Sequence, residues 1–278
     1  MSEALNLLED MGPVTIGRVI KKVYMLTGIS MNEQKKTMLQ SRMRRRMREL
    51  NIGSYDAYMD YLDKTPAETQ NFINIMTTNE TFFFRTPRVW EHFQKEFLPE
   101  WFKNNPNGVL KIWSAASSSG EEAYSIAISC NEFKLKNPSF DFKIMGSDIS
   151  SDMLQEATAG TYAEKSIEFM RRSQPELFEK YFIKKEDKLF DVSGEIKKRV
   201  QFQPHNLFTV KKEMFDIIFL RNVLIYFTGE DQEKVLKNVA KSLKEEGTLM
   251  IGESESLNRL DTPYEFKSAC VYKLPKKA

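Results

Sequence analysis

The sequence predicts an α/β protein in which an all-helical N-terminal domain precedes a doubly wound, Rossmann-like sheet carrying a small antiparallel β insertion. Three observations lead there. Through residue 78, apolar residues recur only at helical spacing; from about residue 108, short apolar runs alternate with helical patterns; and residues 180–203 interrupt that alternation.

In the first segment, Ile16, Val19, Ile20 and Val23 lie at helical spacing, and Leu39, Met43, Met47 and Leu50 form a second stripe ending near Gly53. Thr65-Pro66-Ala67-Glu68 has the form of a capping box with proline at the first helical position, opening a helix through Phe72, Ile73 and Ile75. Residues 1–78 therefore read as a helical domain, 79–107 as a linker and connecting helix closing on the loop NNPNG, and 108–278 as the sheet domain. Within the last, Val109–Trp113 is a strand followed by a small-residue loop, Ser114–Gly120, and a helix from Glu121. Phe142–Met145 is a second strand ending in Gly146-Ser147-Asp148, and Phe215–Leu220 a third, as apolar as buried parallel strands are. Val235, Leu236, Val239, Ala240 and Leu243 mark a helix stopped at Gly247. Thr248–Ile251 and the run FKSACVYKL (266–274) are strand-like. In 180–203, Leu189, Phe190 and Val192, then Ser193-Gly194, then Ile196, Val200 and Phe202 suggest the antiparallel insertion.

Composition narrows the function classes. With 278 residues, 41% hydrophobic and 29% charged, the chain is of ordinary globular type. The start, MSEALNLLEDMG, is acidic and has no signal-peptide pattern. No run approaches the ~20 apolar residues a bilayer span needs; the longest, FDIIFLRNVLIYF, is broken by Asp216, Arg221 and Asn222. Two distant cysteines, Cys130 and Cys270, fit a reducing compartment, and the cytoplasm is expected. Two histidines, His92 and His205, with no cysteine cluster argue against a metal site or a serine–histidine triad. The net charge of +2 is unevenly spread: Lys35, Lys36, Arg42, Arg44, Arg45, Arg46 and Arg48 lie between Glu33 and Glu49 with no acidic residue among them. That is one basic helix face, which is either solvated or a docking surface; direct membrane insertion is not expected.

Residues suited to ligand chemistry fall where strands end. The loop SAASSSGEE lacks G-x-G-x-x-G. Its small residues form either a tight turn or a place where a ligand approaches the backbone ahead of a helix. Glu121 and Glu122 are favoured there by the helix dipole; they would also repel a phosphate and welcome an ammonium. S-adenosylmethionine carries an ammonium and a sulfonium. Asp148 is either a helix cap or an acceptor for ribose hydroxyls. Asn206, in PHNLF, and Arg221-Asn222, closing a buried strand, are polar where apolar residues would pack better. Their joint occurrence at successive strand ends favours a cofactor site.

TTNETFFFR (77–85), WSAASSSGEEAYSIAI (113–128), GSDIS (146–150), HNLF (205–208) and FDIIFLRNVLIYF (215–227) resemble the signature blocks of the CheR family of chemotaxis-receptor methyltransferases, in the family's order and over nearly the whole chain. The resemblance implies a class I methyltransferase fold, S-adenosylmethionine as cofactor, S-adenosylhomocysteine as product, and O-methylation of glutamate side chains on methyl-accepting chemotaxis receptors. It implies that Asn79, Thr81, Arg85, Glu122, Asp148, Asn206, Leu207, Arg221 and Asn222 line the cofactor site. Glu122 would hold the methionyl ammonium, Asp148 the ribose, and Arg85 and Tyr226 would face the reacting end as catalytic residues. Arg42, Arg44, Arg45, Arg46 and Arg48 would meet the acidic methylation helices of the receptor. Ala123 and Ser117 depart from the family's common residues within a turn. Members that dock on a receptor's C-terminal pentapeptide resemble one another in a longer, glycine-rich loop in the insertion; this chain has Gly194 alone, which argues against such tethering. Two other readings stand beside this one. A class I methyltransferase acting on RNA would use the arginine helix as a clamp, although the domain as a whole is not basic and a nucleic-acid partner is not expected. An S-adenosylmethionine-binding regulatory module without catalysis is disfavoured by the intact Arg85, Glu122, Asp148 and Tyr226.

Overall fold

The structure, a computed structural model, describes residues 10–276, which fall into two compact units. One closes at Thr78 and takes in Tyr226–Thr228; the other comprises Asn79–Ile225 and the chain from Gly229 onward.

The first unit is helical: α1 (Pro13–Thr27), α2 (Lys36–Glu49), α3 (Tyr55–Lys64) and α4 (Glu68–Met76). α1 has proline in its first turn and stops at Gly28, whose φ of 73° is the left-handed conformation glycine adopts without strain. Ser54 caps α3 by accepting the Ala57 N–H. Ile16, Val19 and Val23 meet Leu39, Met43 and Met47, Tyr58 and Leu62, and Phe72 and Met76 in one core, with Ile20 and Leu50 packed at its edge. Residues 65–68 do not form the expected capping box. Thr65 closes α3, α4 starts at Glu68, and the Glu68 carboxylate turns inward to the Arg46 Nε (2.8 Å) and Nη2 (2.6 Å), Tyr58 Oη (2.9 Å) and Asn71 Nδ2 (3.0 Å). Satisfying a buried carboxylate with these donors outweighs one helix cap, worth only ~1 kcal/mol.

The second unit begins with α5 (Pro87–His92), which runs through a π-turn at Phe93–Phe97 into α6 (Leu98–Asn104). Then follow β1 (Val109–Ala115), α7 (Glu121–Lys136), β2 (Asp141–Asp148), α8 (Ser151–Ala159), β3 (Thr161–Ala163), α9 (Glu164–Ser173) and α10 (Pro175–Tyr181). Next come β4 (Phe182–Glu186), β5 (Leu189–Val192), α11 (Gly194–Lys197), β6 (Val200–Pro204), β7 (Phe215–Leu220) and α12 (Gly229–Ala240). β8 (Leu243–Ile251), β9 (Glu265–Ser268) and β10 (Val271–Lys273) complete it. The main sheet has the order β6-β2-β1-β7-β8-β10-β9, parallel from β6 to β8 and antiparallel over the last two pairings. Chain order reverses between β1 and β7, the switch point at which doubly wound sheets open a crevice beyond their carboxyl ends. Trp90 and Phe93 pack their rings on Phe219 of β7 at 5.9 and 5.3 Å, tying the α5 region to the sheet.

Four details differ from the sequence reading. Val200 and Phe202 lie not in the insertion but on β6, an added parallel strand of the main sheet, paired with β2 from Ile144↔Val200 to Asp148↔Pro204. The insertion is instead the antiparallel order β3-β5-β4, recruiting Thr161–Ala163, a run too short to announce itself. Residues 266–274 are two strands, because Cys270 takes a φ of 66° and turns the chain back. Leu243, read as helical, already belongs to β8, whose pairing with β7 shifts register between Phe215 and Ile217.

Candidate functional site at the carboxyl ends of the central strands

The loop leaving β1 is built from unusual backbone. Ala116 (φ 68°), Ser118 (φ 48°) and Gly120 (φ 95°) are all left-handed, and such conformations in non-glycine residues cost about 1–3 kcal/mol each unless their surroundings enforce them. Enforcement is visible here. The Ser117 N–H donates to the Ser147 carbonyl (2.8 Å), the Ser118 N–H to Asp148 Oδ2 (2.8 Å), and the Tyr162 hydroxyl to the Ser119 carbonyl (2.6 Å). At Gly120 a Cβ would come within 2.9 Å of Ala157 Cβ and 3.0 Å of the Tyr162 hydroxyl, so the loop tolerates no side chain there.

Asp148 ends β2 and is nearly enclosed. Its Oδ2 takes the Ser118 amide, its Oδ1 the Ser150 amide at 2.9 Å, and its carbonyl accepts from the His205 N–H at 3.0 Å. Burial pushes this carboxyl up from its ordinary range, against the pull of the amides. Asp148 thus clamps the β1 loop, while Ser150 is the residue that caps α8, accepting from the Met153 N–H.

The paired glutamates divide their tasks. Glu121 is buried, accepts from Ser119 Oγ at 2.7 Å, and is pushed up by burial. Glu122 faces Arg221: Arg221 Nη1 lies 2.9 Å from Glu122 Oε2, and Ser114 Oγ donates to the other oxygen at 2.7 Å. Arg221 Nη2 donates to the Arg85 carbonyl at 2.8 Å, and the guanidinium lies over Trp90, 5.6 Å from the ring centre. Arg221 Nε in this cluster, and Ser117 Oγ in the β1 loop, are buried without a hydrogen-bond partner among the described residues. Buried donors are rarely left so, and a polar ligand at this point would satisfy them.

The turn after β7 is held by a residue from the loop after β8, one that carries no distinguishing sequence signal. Glu255, within the loop-like run GESES, accepts from the backbone N–H groups of Asn222 (2.9 Å), Val223 (2.9 Å), Leu224 (2.8 Å) and Gly252 (2.6 Å). Burial raises its carboxyl pKa while the four amides oppose the shift. Asn222 is left-handed, with φ 58°.

The other sequence-derived residues are distributed as follows. The Asn79 carbonyl accepts from Ser118 Oγ at 3.1 Å, bringing the 77–85 segment to the β1 loop. Thr81 is half-buried on the same segment. Arg85 stands between two left-handed residues, Phe84 (φ 55°) and Thr86 (φ 68°), donates from Nη1 to the Glu80 carbonyl (2.9 Å) and lies over Phe82. Asn206 accepts the Phe208 N–H at Oδ1 (3.0 Å), and Leu207 is buried beside it. Tyr226 groups with the helical unit, where its carbonyl accepts the Ser30 N–H at 2.9 Å. Of the five arginines of α2, four have side-chain partners within that unit, Arg45 through an exposed 3.4 Å contact with Glu49 of its own helix. Arg42 donates to the Met76 carbonyl and Thr78 Oγ1, Arg44 to the Tyr55 hydroxyl, and Arg46 to Glu68. Arg45 and Arg48 are exposed.

One strand-end crevice therefore gathers a carboxylate and a guanidinium in contact, a carboxylate clamping a strained loop, and donors awaiting a ligand. It suits a zwitterionic, ribose-bearing molecule better than a polyphosphate. Comparison with known proteins agrees. Residues 79–272 match the model for the CheR methyltransferase SAM-binding domain, and residues 15–77 that for the CheR methyltransferase all-alpha domain. The chain is 34% identical over 245 residues to a chemotaxis protein methyltransferase of Pseudomonas putida, covering 86% of this chain and 88% of that one. With the chemotaxis protein methyltransferase of Klebsiella aerogenes it shares 35% identity over 267 residues, 93% of this chain and 89% of the relative. Among solved structures, an S-adenosylmethionine-dependent methyltransferase from Clostridium acetobutylicum aligns at 18% identity and a TM-score of 0.32, over 71% of this chain and 56% of that one. Among the described residues, no helix is long and apolar enough to cross a membrane.

Proposed function

The chain belongs to the CheR methyltransferase family, an S-adenosylmethionine-dependent methyltransferase of chemotaxis adaptation, and we propose that it esterifies glutamate side chains on the cytoplasmic part of chemotaxis receptors. The observation that carries the reading is the Glu122–Arg221 pair at the sheet's switch point. A methionyl end bears an ammonium and a carboxylate, and this pair presents one charge of each sign to it. Glu122 takes the ammonium, and Arg221, itself held by the Arg85 carbonyl, keeps Glu122 oriented. Asp148 serves the ribose with lone pairs that its amide contacts leave over. Asn79, Thr81, Asn206, Leu207 and Asn222 complete the lining, and Arg85 serves the reacting end; for Tyr226, which groups with the helical unit, the catalytic role rests on the family resemblance.

Bound S-adenosylmethionine supplies an electrophilic methyl group on a sulfonium. The accepting glutamate is already ionised at neutral pH, so no general base is needed. The chain's own contribution is to align the carboxylate and exclude water from it. Arg45 and Arg48 offer the exposed positive charge to which an acidic receptor helix is drawn.

Incubation of the protein with methyl-labelled S-adenosylmethionine and membranes from its own cell tests the reading. Label on a receptor-sized protein, released as methanol by mild base, is the expected result. Base-stable label, or label on RNA alone, overturns it.

A further inference from the structure

We propose that Glu255 is the positioning residue of the site: its carboxylate fixes the turn that aims Arg221 at Glu122. This rests on the reading of that pair as the cofactor's anchor.

Three consecutive amides, those of Asn222, Val223 and Leu224, converge on the Glu255 carboxylate. Successive N–H groups form such a concave nest where a turn passes through a left-handed residue, and Asn222, with φ 58°, is that residue here. Such a nest of parallel N–H dipoles repels itself unless an anion fills it, and Glu255 is that anion. Arg221 is the residue immediately before the nest, so the turn sets the direction in which its side chain leaves the backbone. From there its guanidinium reaches Glu122 Oε2 and the Arg85 carbonyl. Glu255 makes neither contact itself; it acts through Arg221.

The pattern of acceptance makes the carboxylate hard to replace. Oε1 takes Val223 and Leu224, and Oε2 takes Asn222 and Gly252. In Glu255→Gln, whichever way the amide is turned, its NH2 faces two N–H donors. The nest is also closed from the opposite side. A Cβ on Gly252 would lie 2.8 Å from Glu255 Oε2 and 2.9 Å from Asn222 Nδ2, so Gly252→Ala presses on the same clamp without altering its charge.

The test is calorimetric titration of the full chain with S-adenosylhomocysteine, alongside thermal melting. Glu255→Gln and Gly252→Ala should each bind at least about ten-fold more weakly than wild type. Glu255→Asp, which keeps both acceptor oxygens, should recover most of the affinity. Val239→Ala, a buried α12 substitution chosen to lower Tm comparably, should bind as wild type does. Affinity within two-fold of wild type in Glu255→Gln overturns the proposal, as does an equal loss in the Val239→Ala control. If Glu255→Gln does not fold, Gly252→Ala decides by the same two-fold limit. Failure of wild type itself to bind would instead sink the cofactor site, so the two readings fail separately.

Discussion

Arg221 and Glu122, 99 residues apart in the chain, stand 2.9 Å from each other with side chains only 2% and 13% exposed. A pair so enclosed contributes little net stability when intact, but removing one partner strands the other as a buried charge, which costs ~3–5 kcal/mol. Its proposed value lies in holding the Glu122 carboxylate in one orientation at the strand ends.

Glu122→Gln keeps the shape and one acceptor for Ser114 and Arg221 but removes the charge. Losing a charge-assisted hydrogen bond costs ~1.5–3 kcal/mol, so S-adenosylmethionine affinity should fall roughly ten- to a hundred-fold. Arg221→Ala should both lower Tm by several degrees and weaken binding at least as much. Calorimetry showing wild-type affinity in Glu122→Gln would remove Glu122 from the ammonium site.

Asp148 makes a sharper case, because it accepts the Ser118 and Ser150 amides and is also the proposed ribose ligand. Asp148→Ala removes the acceptor of these buried amides, at ~1–3 kcal/mol each, and releases the strained loop. Both Tm and cofactor affinity should drop, with S-adenosylmethionine restoring part of the lost Tm only at high concentration. A variant that loses affinity while melting as wild type does would mean that the loop is held without Asp148.

What the sequence made legible was set by local signal. β7 was readable from Phe215 to Leu220 because a doubly covered strand is nearly all apolar, here interrupted only by Asp216 near its start, and Arg221 stood out as the first polar residue after it. Glu122 and Asp148 were visible for the same reason, as charges at the ends of apolar runs. Elements fixed by tertiary partners were not. β6 reads as insertion until β2 is seen beside it, and Glu68 reads as a cap until Arg46 and Tyr58 are seen to hold it. Glu255 lies in a polar loop, and its four amide partners lie on segments that only the fold brings together.

The Glu68–Arg46 contact has a pH signature. Burial pushes the Glu68 carboxyl up, yet the hydrogen bonds from Arg46, Asn71 and Tyr58 outweigh it and bring the net pKa below the ordinary 4.5. A carboxylate depressed in the folded state binds fewer protons there than in the unfolded chain. Its stabilising effect is therefore present above pH 4.5 and is lost as pH falls through the lower folded value. Thermal melts of the full chain should show Tm declining on acidification below about pH 4.5, and less steeply in Glu68→Gln. Parallel declines in the two proteins would assign the acid sensitivity elsewhere.

Receptor docking should depend on two of the five arginines of α2. Arg42, Arg44 and Arg46 are hydrogen-bonded within the helical unit, and reversing any of them puts a carboxylate against an acceptor or against Glu68, so lost activity there would report unfolding. Arg48 is exposed, and Arg45, with its side chain 87% exposed, meets Glu49 of its own helix at 3.4 Å in an exposed pair whose loss costs little stability. Exposed charge acts on encounter and orientation and is screened within ~10 Å at 0.1 M salt. The double reversal Arg45→Glu, Arg48→Glu should therefore raise KM for receptor several-fold while S-adenosylmethionine affinity and Tm stay as in wild type. Wild-type activity on receptor should fall as ionic strength rises, and that of the reversed variant should fall less. Deleting a receptor's C-terminal tail should change KM little, if the tethering that the family resemblance associates with a glycine-rich insertion needs more than Gly194. A reversed variant that methylates receptor with unchanged KM at low salt would leave this helix as a solvated surface and move recognition to another part of the chain.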